Sequence, residues 1–377
     1  MDFELDEEVI MIRDMMRRFV QKDARPLEMP LFNQGELTPE QEDGLKEKII
    51  EQMGLWAVTV PEDYGGDELD ILSACLIEEE LGQTFVPVDY GDLSPVLFAC
   101  NQEQAEEYLE PAVDGDRRPV LALREPNSLE PDGWQTTAVA NSGGYTLNGR
   151  KLLGRKPRPD DFYVVFCKTP APARGVTAFL VEPDAEGVTI IKSEIIFQDC
   201  KLPPEALLGQ VGGGLKLGVE YIPHQQIKTS ARYVGMAQRL LDMSVQYAQD
   251  WVSMGQPLAL RPAVMRMVAE MAADIQAARY LVYHAAWLLD EEDVGATLSG
   301  RPLHAANVVR LFTGQMIRKV IDKTIMVHGG VSYLNQSPAL RMYRNLVPDK
   351  ALEIGLENSR MAVANHYLEL QTLLDKN

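Results

Sequence analysis

Near the C-terminus, the stretch ALEIGLENSR carries two glutamates four residues apart, Glu353 and Glu357. A carboxylate shielded from water has a raised pKa and can remove a proton from a weakly acidic carbon, so a general base is one interpretation. The same spacing is also typical of two solvated carboxylates on one face of a helix. The surrounding elements must decide between the two interpretations, because a base has to be desolvated.

A second group of residues with chemical potential is basic and lies near the middle of the chain. Its members are Arg124, Arg150, Lys151, Arg155, Lys156 and Arg158. Such a cluster in an acidic protein predicts an anion site for a phosphate group, because clustered cations attract phosphate. A solvated hairpin would have the same composition, so the sequence leaves both interpretations open.

The composition excludes several classes of function. The formal net charge of −20 repels polyphosphate backbones and anionic lipid, so we expect neither nucleic acid nor a membrane as a partner. The four cysteines form no C-x-x-C pair, so we expect buried thiols in a reducing compartment and no metal site. The first residues are acidic where a signal peptide is basic, and no apolar run reaches about 18 residues, so we expect a cytoplasmic protein.

The spacing of apolar residues changes twice along the chain. From Glu7 to about Glu110 apolar residues recur three and four apart, which predicts helices. From Pro119 onward, short β-branched or aromatic runs such as DFYVVFCKT and VTAFLVEP predict strands. The segment SGGYTLNGRK predicts a hairpin with positive φ angles at Gly143-Gly144 and Asn148-Gly149.

Helical spacing returns after LGQVGGGLKLG, where long amphipathic segments run to the end of the chain. They predict a four-helix bundle. The fold is therefore predicted to be a multidomain α+β fold, and the length of 377 residues also favours more than one core. We expect an N-terminal α-helical domain over 1–118, a middle β-barrel or sandwich domain over 119–212, and a C-terminal helical bundle domain over 213–377.

Several motifs in this order resemble the acyl-CoA dehydrogenase family, and the likeness extends over nearly the whole chain. The segments that carry it are GLWAVTVPEDYGG, REPN, YTLNGRK, FQDCKLPPEALLG and MVHGGVSYL. They are similar to the family's P-E-x-Y-G-G, T-E-P, N-G-x-K, F-x-D-x-x-V-P-x-x-x-L-L-G and Q-x-x-G-G-x-G-Y patterns. A single glycine pair is typical of any turn, but the shared order of several motifs points to the fold.

The resemblance implies a flavin enzyme in which a carboxylate removes the proton α to a thioester carbonyl while the β-hydride passes to FAD. Aligning RMYRNLVPDKALEIGLENSR on the family's R-x-Y-R-D and E-G-T-S pattern places Glu353 on the base. Some members carry the base on a bundle helix instead. The matching positions here are Gln225 and Gln226, which cannot act as bases and are assigned to substrate binding. Glu357 is expected to be solvated, on a helix that follows a break at Gly355.

The resemblance also implies which positions contact FAD, the predicted cofactor. They are Arg124, Leu153 and Arg155 in the middle domain, and Trp251, Met254, Met326, Gly329 and Gly330 in the C-terminal domain. Several depart from the family: Leu153 replaces an aromatic residue, Trp251 an arginine and Met326 a glutamine. Exchanging a phosphate-binding arginine for tryptophan removes a charge-assisted contact of about 1.5–3 kcal/mol, so weak flavin binding is predicted.

These observations predict a subunit of a flavin-dependent acyl-CoA dehydrogenase that performs α,β-dehydrogenation of an acyl-CoA thioester, with bulky steroid-like side chains as one class of substrate. A paralogous subunit would complete the FAD site in an α2β2 hetero-oligomer, and electron-transfer flavoprotein is the expected electron-accepting partner. One alternative is a self-sufficient homotetrameric dehydrogenase. Another is a non-catalytic scaffold or acyl-CoA-binding subunit that retains only the fold.

Overall fold

The computed structural model describes residues 6–128, 131–154, 157–170, 175–291, 300–334, 337–346 and 350–368. Helices dominate both ends of the chain and strands the middle, as predicted. The first helices are α1 (Glu7–Phe19), α2 (Glu28–Gln34), α3 (Pro39–Glu47), α4 (Ile71–Leu81), α5 (Gln102–Gln104) and α6 (Glu110–Val113). The later helices are α7 (Gly214–Asp250), α8 (Pro262–Asp290), α9 (Gly300–His328), α10 (Pro338–Leu346) and α11 (Lys350–Leu368). The four long C-terminal helices expected from the sequence are therefore present.

The middle of the chain forms an eight-stranded sheet. Its strands are β1 (Arg118–Ala122), β2 (Thr137–Asn141), β3 (Gly144–Leu152), β4 (Asp161–Thr169), β5 (Gly175–Val181), β6 (Val188–Ile191), β7 (Glu194–Leu202) and β8 (Leu207–Leu208). They are ordered β6-β7-β3-β2-β4-β5-β8, and β1 pairs in parallel with β4. A separate two-stranded hairpin joins β9 (Val252–Ser253) to β10 (Gln256–Pro257).

The β2–β3 hairpin was predicted correctly, but its second glycine signal was not. Gly144 has a φ of 130° beside the turn, as expected, whereas Gly149 has a φ of 140° inside β3. The pairing of β3 with β7 advances from Leu147 to Gly149 on β3 but from Cys200 to Phe197 on β7, which has one residue more, so Asn148-Gly149 lies opposite a β-bulge of β7 and not in a turn.

Strand β4 explains why the sheet is buried on both faces. Alternate residues of a strand point to opposite faces, and the run DFYVVFCKT is apolar at nearly every position. Phe162, Val164 and Phe166 belong to one hydrophobic core. Tyr163, Val165 and Cys167 belong to the core on the other face. A single apolar run thus supplies two layers of packing.

The chain divides into two compact units. The helical unit contains Met1–Gly54, Leu69–Asp89 and Pro223–Asn377, and the middle unit contains Leu55–Glu68 and Tyr90–Ile222. These units group segments that are distant in sequence, whereas the predicted domains 1–118, 119–212 and 213–377 follow chain order. The three-domain division stays a prediction.

Three consecutive glutamates on α4 tie the helical unit together. Residues that follow one another in a helix point about 100° apart, so Glu78, Glu79 and Glu80 face different neighbours. Their partners are Arg232 of α7, Arg279 and Tyr283 of α8, and Arg17 of α1. Helix α4 is therefore joined by charged hydrogen bonds to three other helices.

Glu79 is bound by two side chains of α8. It accepts a hydrogen bond of 2.9 Å from Nε of Arg279 and another of 2.9 Å from Oη of Tyr283. Burial and the neighbouring carboxylate raise the pKa of Tyr283, which keeps its hydroxyl a hydrogen-bond donor. Removing one member of a buried charged network leaves the others without compensation, which costs about 3–5 kcal/mol in well-buried cases.

A buried ion pair organises the middle unit. Nζ of Lys151 lies 3.0 Å from Oε1 of Glu125 and 3.7 Å from the ring centroid of Trp134. The Glu125 carboxylate also accepts hydrogen bonds from the backbone N–H groups of Gln135 and Thr136, at 2.7 and 3.0 Å. Burial raises the pKa of Glu125, but these hydrogen bonds outweigh it and hold the pKa below its ordinary value.

The cysteines are free thiols, and Cys75, Cys167 and Cys200 are buried as expected, whereas Cys100 is partly exposed. Burial raises the pKa of Cys100 and of Cys167 to about 12, so both remain protonated at neutral pH. Within the described ranges, no cluster of His, Cys, Asp and Glu side chains could hold a metal ion. No helix in the same ranges is long and apolar enough to cross a membrane.

Replacing Glu79 by Gln is expected to lower the free energy of unfolding by about 2–4 kcal/mol, because Arg279 loses its charged partner in a partly buried site. Glu270→Gln is the matched control, since the side chain of Glu270 is 50% exposed and that of Glu79 only 12%. The control should cost less than about 1 kcal/mol. Urea denaturation of both variants measures the difference, and equal losses would contradict the role of α4.

The Glu125–Lys151 pair should make the stability of the protein depend on pH. A carboxyl group with a lowered folded-state pKa stabilises the protein above its ordinary pKa of 4.5 and loses that contribution as the pH falls. Replacing Glu125 by Gln should therefore destabilise the protein most at pH 7, and the difference from wild type should shrink below pH 4.5. Unfolding at several pH values checks this, with the exposed Glu205→Gln as control. A difference that is independent of pH would refute it.

Candidate functional site

Glu353 lies in the first turn of α11, a helix that continues without interruption through Gly355. The predicted break at Gly355 is therefore wrong. A glycine inside a helix costs only about 1 kcal/mol, and the packing of the next residue outweighs that cost. Leu356 is buried, and a Cβ added to Gly314 of α9 would lie 2.5 Å from Cδ2 of Leu356. The side chain of Glu353 lies outside the described ones, so its role as base stays a prediction.

Glu357 occupies the second turn of the same helix. Its carboxylate forms an ion pair with Arg360, and both side chains are exposed. An exposed carboxylate beside a cation is not a strong base, because water and the cation both favour its ionised form. The prediction that Glu357 is a solvated helix residue is confirmed.

Polar groups enter the interior of the helical unit near α11. Seven polar side-chain atoms in the described part of the chain are enclosed without a hydrogen-bond partner, and three of them belong to α7, α9 and α11: Oε1 of Gln226, Nη1 of Arg310 and Oγ of Ser359. The Arg310 guanidinium also lies 5.2 Å from the ring centroid of Tyr233. Enclosed polar atoms are normally paired, so these three are candidates to contact a ligand or ordered water. Gln225, the other predicted substrate residue, is exposed.

Contacts between the helices bring these three atoms to one level. Oγ1 of Thr313 on α9 donates to Oγ of Ser230 on α7 at 3.0 Å. Gln226 and Arg310 each lie about one turn from this bond along their own helices. Leu356 of α11 packs against Gly314, the neighbour of Thr313, and Ser359 follows it by one turn. The three polar groups therefore come from α7, α9 and α11 within about one helical turn.

The predicted flavin contacts of the middle unit that the structure describes make contacts within this unit. Leu153 is buried in the hydrophobic core of the sheet, and its N–H donates to the carbonyl oxygen of Ser193 at 2.7 Å. Arg124 is exposed, and its carbonyl oxygen accepts a hydrogen bond from the N–H of Leu152. Arg155 lies outside the described residues. Leu153 thus contributes to the packing of the sheet.

Trp251 stands where the family resemblance implies an arginine, and its ring takes part in an aromatic stack. The Trp251 ring stacks on Tyr247, with centroids 5.6 Å apart and planes 12° apart. Tyr247 also stacks on His328, with centroids 4.5 Å apart. Nδ1 of His328 hydrogen-bonds the carbonyl oxygen of Thr324, which fixes the ring at the end of α9. The stack joins the end of α7 to the end of α9.

Met254 lies at the tip of the β9–β10 hairpin and is 93% exposed. It has a φ of 51° and the following Gly255 a φ of 76°, as in the two-residue turns that match strand twist. This hairpin was not predicted from the sequence. The feature that could have indicated it is the pair Met254-Gly255 between two short segments with strand-forming residues. A methionine at positive φ is strained, so its exposed side chain is not explained by folding.

The remaining predicted contacts lie at the end of α9. Met326 is 66% exposed. Gly329 and Gly330 are exposed, and Gly329 has a φ of 59°, the left-handed conformation with which glycine ends many helices. Gly329 therefore serves as a helix stop whether or not a ligand is bound.

The predicted FAD positions do not suit the phosphates of a flavin dinucleotide. Binding them takes cations or N–H groups, whereas Leu153, Trp251, Met254 and Met326 offer apolar surface. Among the predicted positions that the structure describes, Arg124 is the one charged side chain. The predicted positions therefore offer few groups for the phosphates of FAD.

Arg310 and Ser359 were missed from the sequence. The signal for Arg310 was a cation inside the apolar run NVVRLF, a position that amphipathic spacing assigns to the interior. Ser359 gave no signal, because a serine in a helix is common on either face. Their proximity depends on the packing of three helices and cannot be read from spacing along one of them.

Comparisons with known proteins agree with this architecture. Residues 6–116 match the family model "Acyl-CoA dehydrogenase, N-terminal domain", and residues 212–364 match "Acyl-CoA dehydrogenase, C-terminal domain". The chain is 30% identical over 397 residues to the protein named "Probable acyl-CoA dehydrogenase YngJ" of Bacillus subtilis, covering 98% of this chain and 100% of that protein.

Two further proteins extend the comparison. The caffeyl-CoA reductase–Etf complex subunit CarC of Acetobacterium woodii is 29% identical over 358 residues, with 89% of this chain and 91% of CarC covered. The structure of butyryl-CoA dehydrogenase from Megasphaera elsdenii superposes with a TM-score of 0.80 at 25% identity, covering 98% of this chain and all of that one. From these matches and the fold, the chain belongs to the acyl-CoA dehydrogenase family of flavin-dependent oxidoreductases.

Proposed function

We propose that this chain is one subunit of a hetero-oligomeric acyl-CoA dehydrogenase whose FAD is held mainly by a paralogous partner. The reaction is α,β-dehydrogenation of an acyl-CoA thioester, and Glu353 is the base that removes the α-proton. Gln226, with its enclosed Oε1, is assigned to the substrate side of the same site. A bulky, steroid-like acyl group remains the proposed class of substrate.

The observation that carries the proposal is the aromatic stack at Trp251. A cation at this position would attract phosphate, whereas the indole is held against Tyr247 and offers no positive charge. A homo-oligomer cannot repair this loss, because each copy brings the same tryptophan. A paralogue with an arginine at the equivalent position can supply the missing charge.

An exposed apolar surface supports the presence of a partner chain. Its exposed members around the stack and the glycine turn are Trp251, Val252, Met254, Met326, Val331, Tyr333 and Leu334. Contiguous exposed apolar residues on a water-soluble fold typically mark protein interfaces, since water contact with them is unfavourable. The strained, exposed Met254 is accounted for if a partner covers it.

Electron-transfer flavoprotein is the proposed electron acceptor. CarC, which is 29% identical to this chain, is named as a subunit of a complex with Etf. That name concerns the relative, and the extension to this chain rests on shared family membership. The direct observation would be reduction of purified electron-transfer flavoprotein by the co-expressed complex in the presence of substrate.

The flavin proposal predicts the spectrum of the purified protein. Expressed alone, the chain should carry little FAD, and co-expression with its paralogue should yield a yellow complex with the visible absorbance of a bound flavin. Trp251→Arg should tighten FAD binding to the chain alone by about 10- to 100-fold, because it restores one charge-assisted contact. Trp251→Phe, which adds no charge, is the control.

Full FAD occupancy in a homotetramer of the unmodified chain would overturn this proposal in favour of the self-sufficient enzyme. A complex that binds acyl-CoA but never shows flavin reduction would favour the non-catalytic alternative.

The base assignment predicts a loss of turnover. In the co-expressed complex, Glu353→Gln should slow dehydrogenation about 100- to 10,000-fold, because the amide cannot accept the proton. Glu357→Gln is the control on the same helix and should retain activity, since Glu357 is exposed and paired with Arg360. Steady-state rates with an artificial electron acceptor measure both. Unchanged turnover in Glu353→Gln would exclude it as the base.

A further inference from the structure

One groove on the middle unit is lined by none of the residues assigned above to the flavin, the substrate or the base. It lies where the turn after β1 meets Gly149 and Arg150 of β3 and the bulged part of β7, and it has a volume of about 320 Å³. Its exposed polar side chains are Asn127, Gln135, Arg150 and Gln198. Pro126, Ile196 and Phe197 supply apolar surface. A few polar groups over an apolar floor are typical of small-molecule sites.

Arg150 is the unusual member of this groove. Lys151 beside it is buried and paired with Glu125, whereas Arg150 is exposed and its guanidinium forms no hydrogen bond or ion pair with any described residue. The basic cluster predicted from the sequence is therefore not one uniform surface. An arginine without a carboxylate partner is unexpected in a chain with a net charge of −20. Its free guanidinium can bind a phosphate with two parallel hydrogen bonds.

The backbone around the groove is held in place. A Cβ added to Gly149 would lie 2.5 Å from Oγ1 of Thr136, so this position of β3 requires glycine and brings β3 close to the residue before β2. The hydroxyl of Thr136 donates to the carbonyl oxygen of Arg150 at 3.2 Å. Glu125, at the floor of the groove, is neutralised by Lys151 and two backbone N–H groups. It does not repel an anion bound at Arg150.

The size and chemistry of the groove limit the ligand. A volume of about 320 Å³ is at the small end of ligand pockets and suits a mononucleotide better than a dinucleotide. Asparagine and glutamine amides match the donor and acceptor edge of adenine, and the flat apolar floor can contact the base. We propose that this groove binds an adenosine phosphate, with the phosphate on Arg150 and the base among the three amides.

Two sources of this chemistry are distinguishable: a free adenine nucleotide and the 3′-phospho-ADP end of a CoA ester. Isothermal titration of the full chain, in complex with its paralogue, is done with ADP and with adenosine 3′,5′-bisphosphate. Saturable binding of ADP identifies a free-nucleotide site, and binding of the bisphosphate alone identifies the CoA end. Both outcomes support the groove as an adenosine-phosphate site if the variants below respond as expected.

Arg150→Gln should weaken binding at least 10-fold, because one charge-assisted contact is lost. Gln198→Ala should weaken it by a smaller factor through the loss of an amide. Lys192→Gln, at an exposed lysine outside the groove, is the matched control and should bind as wild type does. The Arg150 guanidinium has no partner among the described residues, so the variant should keep the thermal midpoint of the wild type.

The proposal is overturned if neither ligand binds, or if Arg150→Gln binds as tightly as wild type. Either result leaves the dehydrogenase proposal intact, because the flavin spectrum and the effect of Glu353→Gln are independent of the groove.

Discussion

The helical unit depends on one charged helix in its interior. Glu78, Glu79 and Glu80 are consecutive, and the rotation of about 100° per residue sends each to a different helix. Carboxylates so poorly solvated stabilise a fold only when they are paired, so this short segment fixes which arginines must stand on α1, α7 and α8. The position of α7 in turn brings Gln226 and Ser230 opposite α9, and α9 supports α11 with its predicted base.

In this chain, charged side chains lie where they maintain the fold, and uncharged ones occupy most of the positions that the resemblance assigns to flavin. The groups that maintain the fold are present: the glutamates of α4, and the Glu125–Lys151 pair of the middle unit. Among the described positions that the resemblance assigns to flavin, all but Arg124 are uncharged, and Leu153 and Trp251 take part in packing or stacking. The proposal that a partner chain holds most of the FAD is based on this distribution of charge.

Much of the fold could be predicted from the sequence, because the apolar period of DFYVVFCKT and of the long C-terminal segments reports burial directly. Local exceptions could not. Gly355 was expected to end a helix, but packing of Leu356 against Gly314 is a tertiary contact that overrides the cost of glycine. Gln226, Arg310 and Ser359 come close together along the helix axes only because three helices that are distant in sequence pack against one another. Likewise, Lys151 and Arg150 are adjacent in sequence, and only the sheet shows that one is buried and the other free.

FAD is proposed to be bound mainly by the partner chain. Native mass spectrometry of the co-expressed complex, followed by gentle dissociation of its subunits, measures where the flavin remains. We expect FAD to leave with the paralogue and this chain to be released without it. Release of this chain with FAD still bound would contradict the account.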